Sequence, residues 1–188
     1  MLCHLLVLDL TAYSEHVANH WVALFWRFHS VHHSDEIFDA STAVRFHIGE
    51  LLVSFVVRLF VVAMFGLPVV GILAFEIIYG FLNFFLQGNT RLPERFSRKL
   101  EGVFITPVLH RFHHSANSDQ LNMNFGTIFS IWDRIFGTFA QIVSHESYKV
   151  GLPHPTPGTA TLIGILKHPI SKLGWLSTIQ IPLNTVER

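Results

Sequence analysis

The chain has 188 residues, with 13 Lys and Arg against 13 Asp and Glu, so it lacks the basic face or tail that nucleic-acid binding requires. Hydrophobic residues make up 50% and charged residues 14%, which excludes intrinsic disorder, and a single cysteine, Cys3, excludes a disulfide scaffold. Histidine stands out instead: 13 residues, as many as all the Lys and Arg together, a bias of the kind that accompanies metal binding.

Residues 1–28 carry a helical pattern. The first 12 are apolar except for His4 and Asp9. They have neither a basic leading segment nor a small-residue cleavage site, so they are not a signal peptide. They read as the last part of a membrane helix whose beginning lies upstream. Residues 51–88 form the longest apolar tract, with Arg58 and Glu76 as its only charges. A membrane crossing takes about 20 apolar residues, so the tract is long enough for two, and Gly66-Leu67-Pro68 breaks it near the middle. This predicts a helical hairpin over 50–65 and 68–86, within a membrane region of about 50–87. The alternative, a buried hairpin in a soluble core, fits poorly with so little charge in the whole chain. Arg91, Arg95, Arg98 and Lys99 follow the hairpin, whereas its turn carries no charge. Positive residues favour the cytoplasmic side, which places both hairpin ends there. Further on, residues 153–161 should form a loop and 162–166 a short helix. No internal repeat, phosphate loop or nucleophile elbow is present. The expected fold class is all-α: an integral membrane helical protein with a cytoplasmic histidine-rich helical cap, one domain over 1–152 and a loop and tail over 153–188.

Most of the histidines are grouped. His16 and His20 are spaced i,i+4. His29, His32 and His33 are spaced i,i+3,i+4, and His110, His113 and His114 repeat that spacing. On a helix each group falls on one face. Neutral imidazoles packed this closely would repel one another on protonation and cost desolvation on burial; a metal ion, which binds the neutral form, removes that cost. Imidazole suits iron, zinc, copper and nickel. His47 has a ligand role or a structural one open to it. His4, His145, His154 and His168 stand alone and read as incidental. Asp9, Asp39 and Asp133 could orient ligating imidazoles through the second ring nitrogen, and each is also a plausible helix cap or ion-pair partner.

These groups and their flanks resemble the membrane-bound fatty acid hydroxylase / sterol desaturase superfamily. The resemblance is carried by Leu8-Asp9-Leu10 with Tyr13, by the His16–His20 pair, and by Trp26-Arg27-Phe28-His29 leading into His32-His33. It continues through Arg45-Phe46-His47 with Glu50, Gly88-Asn89, Thr106-Pro107 leading into His110, His113 and His114, Asn124-Phe125-Gly126, and Trp132-Asp133-Arg134. It covers about residues 5–152. What it implies is a centre of two iron ions at the cytoplasmic membrane face, held by His16, His20, His29, His32, His33, His110, His113 and His114. Such a centre uses O2 as co-substrate to hydroxylate or desaturate a lipid (a sterol, a fatty acyl chain or a related molecule). The implied partners are the lipid, the membrane and a separate electron donor of cytochrome, ferredoxin or reductase type. One position departs from the pattern. The family usually has a further His two residues before the Asn at Asn89, and here that residue is Gln87, a weaker metal donor. The alternative reading is therefore a catalytically impaired or non-catalytic membrane protein that retains the family fold. A bis-His haem carrier needs two axial ligands rather than eight clustered imidazoles, and a zinc hydrolase of the H-E-x-x-H type lacks its motif here.

Overall fold

The structure, a computed structural model, describes residues 2–142, 149–153, 156 and 158–171. Among them all regular structure is helical, and β-pairing is confined to two isolated bridges, Phe104 with Phe129 and Ser115 with Val150. His145 and His154 lie outside the described residues.

The N-terminal pattern forms two helices rather than one: α1 (Leu2–Trp21) and α2 (Ala23–His33), the latter ending five residues beyond the predicted limit. Val22 between them takes extended angles, φ −94° and ψ 114°. A straight helix would hold His16 and His29 about 20 Å apart along its axis, yet their rings are 4.9 Å apart. The break at Val22 therefore folds α2 back against α1, and two histidine groups meet on one side of the bend.

A 3-10 turn at Ala40–Val44 follows, capped by Asp39. Then comes the apolar hairpin, α3 (Ile48–Phe65) and α4 (Val69–Gln87). His47 opens α3 by accepting a hydrogen bond from the Gly49 amide on its Nδ1, 2.9 Å away. Gly66 closes it in the left-handed region at φ 58°, where a residue without Cβ is favoured. Both helices are long and apolar enough to cross a membrane, and only 6% and 17% of the two apolar windows is buried. Leu52, Phe55, Phe60, Ile77 and Phe81 are among the side chains facing outward. That is the reverse of a soluble core hairpin, whose apolar residues would be covered.

Helix α1 lies along α4. Gly71 of α4 allows the approach, since a Cβ there would sit 3.0 Å from the His4 ring. Leu8, Ala12, Leu67, Phe75 and Ile128 form the core between them, and a second cluster of Leu86, Ile105 and Leu109 joins the end of α4 to α6. The remaining helices are short: α5 (Glu94–Leu100), α6 (Pro107–His113), α7 (Ser118–Leu121), α8 (Ile131–Phe136) and α9 (Leu162–Lys167). Pro107 sits in the first turn of α6 and Thr106 caps it, an N-terminal arrangement that needs no amide donor from the proline. Arg27 and Ser30 of α2 bond Pro169 and His168, and Arg45 bonds the Thr159 carbonyl. These bonds hold the segment around α9 across the outer side of α2.

Candidate metal centre

The bend in α1–α2, the end of α4 and the C-terminal half of α6 point their polar residues at one another. His20, His29, His32, His33, His110, His113 and His114 are all buried, and His16 nearly so. Their ring nitrogens fall into two sets. His16, His20, His29, His33 and His113 form one, and His32, His110 and His114 the other, the donor atoms within each lying within 4.8 Å of one another. The sets adjoin, with His33 and His114 stacked 4.3 Å apart between centroids. The structure thus brings together all eight histidines of the three sequence groups.

The orientation of the rings is set from outside the cluster. His16 Nδ1 lies 2.7 Å from the Phe125 carbonyl, and His113 Nδ1 lies 2.9 Å from the Met123 carbonyl. A carbonyl only accepts, so each Nδ1 carries the proton and each Nε2 presents a lone pair inward. His16 Nε2 and His113 Nε2 have no protein partner. His29 Nδ1 lies 2.7 Å from Glu50 Oε1, which turns its Nε2 inward in the same way. His33 Nε2 lies 3.1 Å from both His20 Nε2 and His29 Nε2. Metal–nitrogen bonds of about 2.0–2.1 Å put neighbouring ligands about 3 Å apart, the spacing of His33 Nε2 from His20 Nε2 and His29 Nε2. Converging lone pairs without partners, in a buried site, suit a cation.

The second set contains Gln87. Its amide nitrogen lies 3.3 Å from His32 Nε2 and 3.2 Å from His110 Nε2, while its Oε1 has no partner. A half-turn of the amide brings the oxygen to the imidazoles, so Gln87 can serve as a fourth, oxygen donor beside three nitrogens. Burial, aided by the neighbouring imidazoles, holds His32, His33, His113 and His114 well below the ordinary imidazole value, and pushes His110 down to about 3. The neutral form that a metal binds is thus the resting form.

The other expected residues are engaged elsewhere. His47 is the cap of α3, with its Nε2 3.3 Å from the Leu166 carbonyl and its ring stacked on Phe28. Both of its nitrogens face partners outside the histidine cluster. None of the three aspartates touches an imidazole. Asp9 accepts from Trp132 Nε1 at 2.8 Å and from the amides of Ile128 and Phe129. Asp133 accepts from the amides of Phe125 and Gly126 and from the Thr138 hydroxyl. Asp39 caps the turn that begins at Ala40. Local backbone donors reach these carboxylates first, because each sits beside a tight turn with unpaired amides. Glu50 takes the orienting role expected of them. One signal for it was present in the sequence: an acidic residue at the mouth of an apolar run, three positions after His47. The carbonyls of Phe125 and Met123 left no such signal, since backbone acceptors have no residue identity.

Together these features define an all-α protein that closes a polyhistidine chamber suited to metal against the open end of an apolar helical hairpin. The chain belongs to the fatty acid hydroxylase family, whose sequence model matches residues 1–138. It is 33% identical over 150 residues to alkylglycerol monooxygenase of Danio rerio, covering 78% of this chain and 31% of that protein. It is 33% identical over 149 residues to the Homo sapiens protein of the same name, covering 78% and 32%. It is 28% identical over 148 residues to the ornithine lipid hydroxylase OlsE of Rhizobium tropici, covering 79% and 44%. The chain therefore spans about a third of the length of these alkylglycerol monooxygenases. No solved structure matches it significantly.

Proposed function

We propose that this chain carries an iron- and O2-dependent lipid hydroxylase centre, seated at the cytoplasmic face of a membrane that α3 and α4 enter. The carrying observation is the convergence of eight imidazoles, seven of them buried, at least three locked with Nε2 inward by Phe125, Met123 and Glu50. His16, His20, His29, His33 and His113 would hold one ion. His32, His110 and His114, with Gln87, would hold the second. Iron bound there supplies the redox chemistry: activation of O2 and oxidation of an unactivated C–H bond. The chain's own share is to fix the donors, keep them neutral and exclude bulk water. The names of the relatives, a monooxygenase and a hydroxylase, favour oxygen insertion over desaturation. Electrons come from a separate donor protein.

Elemental analysis of the purified full chain should find two metal ions per molecule, and a lipid substrate with a reductant should drive O2 uptake. Protein free of metal, with no O2 uptake for any lipid class, would sink this reading. Gln87 in place of an imidazole supports the second reading, a family member with an impaired centre. One bound ion per chain and no turnover would favour it.

A further inference from the structure

Between the histidines and the hairpin lies a cavity of about 50 Å³, lined on one side by His16, His29, His32 and His110. Its other wall is polar, made by Glu15 of α1, by Glu50, Ser54 and Arg58 of α3, and by Tyr79 and Asn83 of α4. Phe46, Glu50, Ser54, Arg58, Tyr79 and Asn83 also line a larger groove of about 500 Å³ between α3 and α4. That groove continues along Leu59, Val62 and Ile72 toward the turn of the hairpin. A small polar chamber at the histidines thus opens into a long apolar groove on the surface expected to meet lipid.

The carboxylate wall of the chamber leaves two acceptor oxygens unpaired, against one unpaired donor, Arg58 Nε. Glu50 is 6% exposed, and its Oε2 has no hydrogen-bond partner; Glu15 Oε1 has none either. A buried carboxylate oxygen without a donor is costly, so it marks a place where a donor belongs. Arg58 does not fill it. Its guanidinium is held by Glu76 Oε1 at 2.8 Å and faces Glu15 Oε2 at 3.6 Å, and it lies over the Tyr79 ring at 4.8 Å. Ionisable residues this far into apolar helices are expensive and commonly mark a substrate path.

We infer that the chamber receives the hydrogen-bond-donating end of the lipid substrate (a hydroxyl or an amine), with Glu15 and Glu50 as acceptors, and that the α3–α4 groove holds its apolar chain. This rests on the lipid hydroxylase reading above and gives it a substrate class: a lipid with a small, hydrogen-bond-donating head that carries no negative charge, oxidised near that head. An anionic head would face the carboxylates of Glu15 and Glu50. An ammonium would donate to the same free carboxylate oxygens, since Arg58 is already matched by Glu76 and Glu15. A hydroxyl donates to them as well, so the chamber selects for a donor and against an anion or a head that can only accept. The size agrees, because about 50 Å³ is room for a few water-sized groups, enough for a hydroxyl with its carbon and too little for a bulky head. Glu15 and Glu50 are thus assigned as specificity-determining residues.

The test is photo-cross-linking of the full chain in lipid nanodiscs, without O2 and without reductant. The probes are octadecanol, its methyl ether, octadecylamine and octadecanoic acid, each with a mid-chain diazirine. The alcohol and the amine, which both donate, should label about tenfold more than the methyl ether and the acid, at the residues Leu59, Val62 or Ile72. Equal labelling by the methyl ether or the acid overturns the assignment of the head, and water alone then fills the chamber. Labelling confined to Val57 and Val61, on the opposite groove between α1 and α3, overturns the assignment of the path. Glu15→Ala should lose about tenfold of the alcohol labelling, while Glu15→Gln, which keeps an acceptor, should retain most of it. Unchanged labelling in Glu15→Ala counts against the acceptor role, and if that variant does not fold, the probe comparison in the unaltered chain decides. Metal content is read on the same samples, so failure of the iron chemistry and failure of head recognition give different results.

Discussion

Glu50 fixes the proton on His29. Its Oε1 lies 2.7 Å from His29 Nδ1, and Asn19 Nδ2 donates to the same oxygen at 3.2 Å. A carboxylate at this distance holds the N–H on the outer nitrogen and makes the inner one a better donor. Removing such a partner from a metal-binding His costs about 10–100-fold in metal affinity. We expect Glu50→Ala to lower affinity by that amount in a metal titration, and Glu50→Gln, which can still accept from Nδ1, to lose less. Equal affinities for all three proteins would remove the orienting role. Gln87 poses the converse case. An imidazole is a stronger donor to iron-type ions than an amide oxygen, so Gln87→His should raise occupancy of the second site, and Gln87→Leu should leave one ion per chain. Elemental analysis of both variants checks this, and identical metal content in the two would show that position 87 holds no ion. The eight histidines were legible because spacing alone put each group on one helix face. The orienting groups were not. An Asp beside a turn and a Glu beside an imidazole look equally suitable in sequence, and only the path of the backbone decides which donors each one meets.

At the scale of elements, the segment from Met123 to Thr138 acts as the rear wall of the site. Asp133 gathers the amides of Phe125 and Gly126 with the Thr138 hydroxyl, Asp9 ties down the next turn, and the carbonyls of Met123 and Phe125 then point at His113 and His16. Burial raises the Asp133 carboxyl to about 6 while these donors draw it back. Gly126 is the tight point: a Cβ there would lie 2.7 Å from the Phe129 carbonyl oxygen and 2.9 Å from Asp133 Oδ2. Gly66, at the hairpin turn, has open space around it and a positive φ of 58° instead. Gly66→Ala should therefore cost about 1–2 kcal/mol, the penalty for a side chain in left-handed backbone. Gly126→Ala must displace backbone or a buried carboxylate, so it should cost more and also weaken metal binding. Thermal melting of both variants beside the unaltered chain tests the order, and a larger loss at Gly66 would contradict it. The hairpin itself was legible to within a few residues, because apolar length and Gly66-Leu67-Pro68 are strong local signals. The fold-back at Val22 was not. No glycine or proline marks it, and packing of α2 against α1 overrides a helical pattern that runs straight through.

Across the whole molecule, the histidines that give the chain its composition also set its response to acid. In the unfolded chain each imidazole takes up a proton near its ordinary value of about 6.5. In the folded, metal-free chain burial prevents this: His110 is pushed down to about 3, and His32, His33, His113 and His114 are held well below the ordinary value. Between those limits the unfolded state binds more protons, so stability rises with pH and falls as pH is lowered. The sign is that of a depressed pKa: stability is fully present above about 6.5 and is lost progressively toward the folded value. Bound metal competes for the same lone pairs and opposes the loss. The metal-free protein should therefore melt at steadily lower temperature as pH falls from 7 to 5, while the metal-loaded protein should hold its melting temperature until the ions leave. The measurement is a pair of melting curves at each pH, with and without chelator, with metal content followed in parallel. Coincident curves across that range would mean that these imidazoles are not the buried neutral ligands of a common centre.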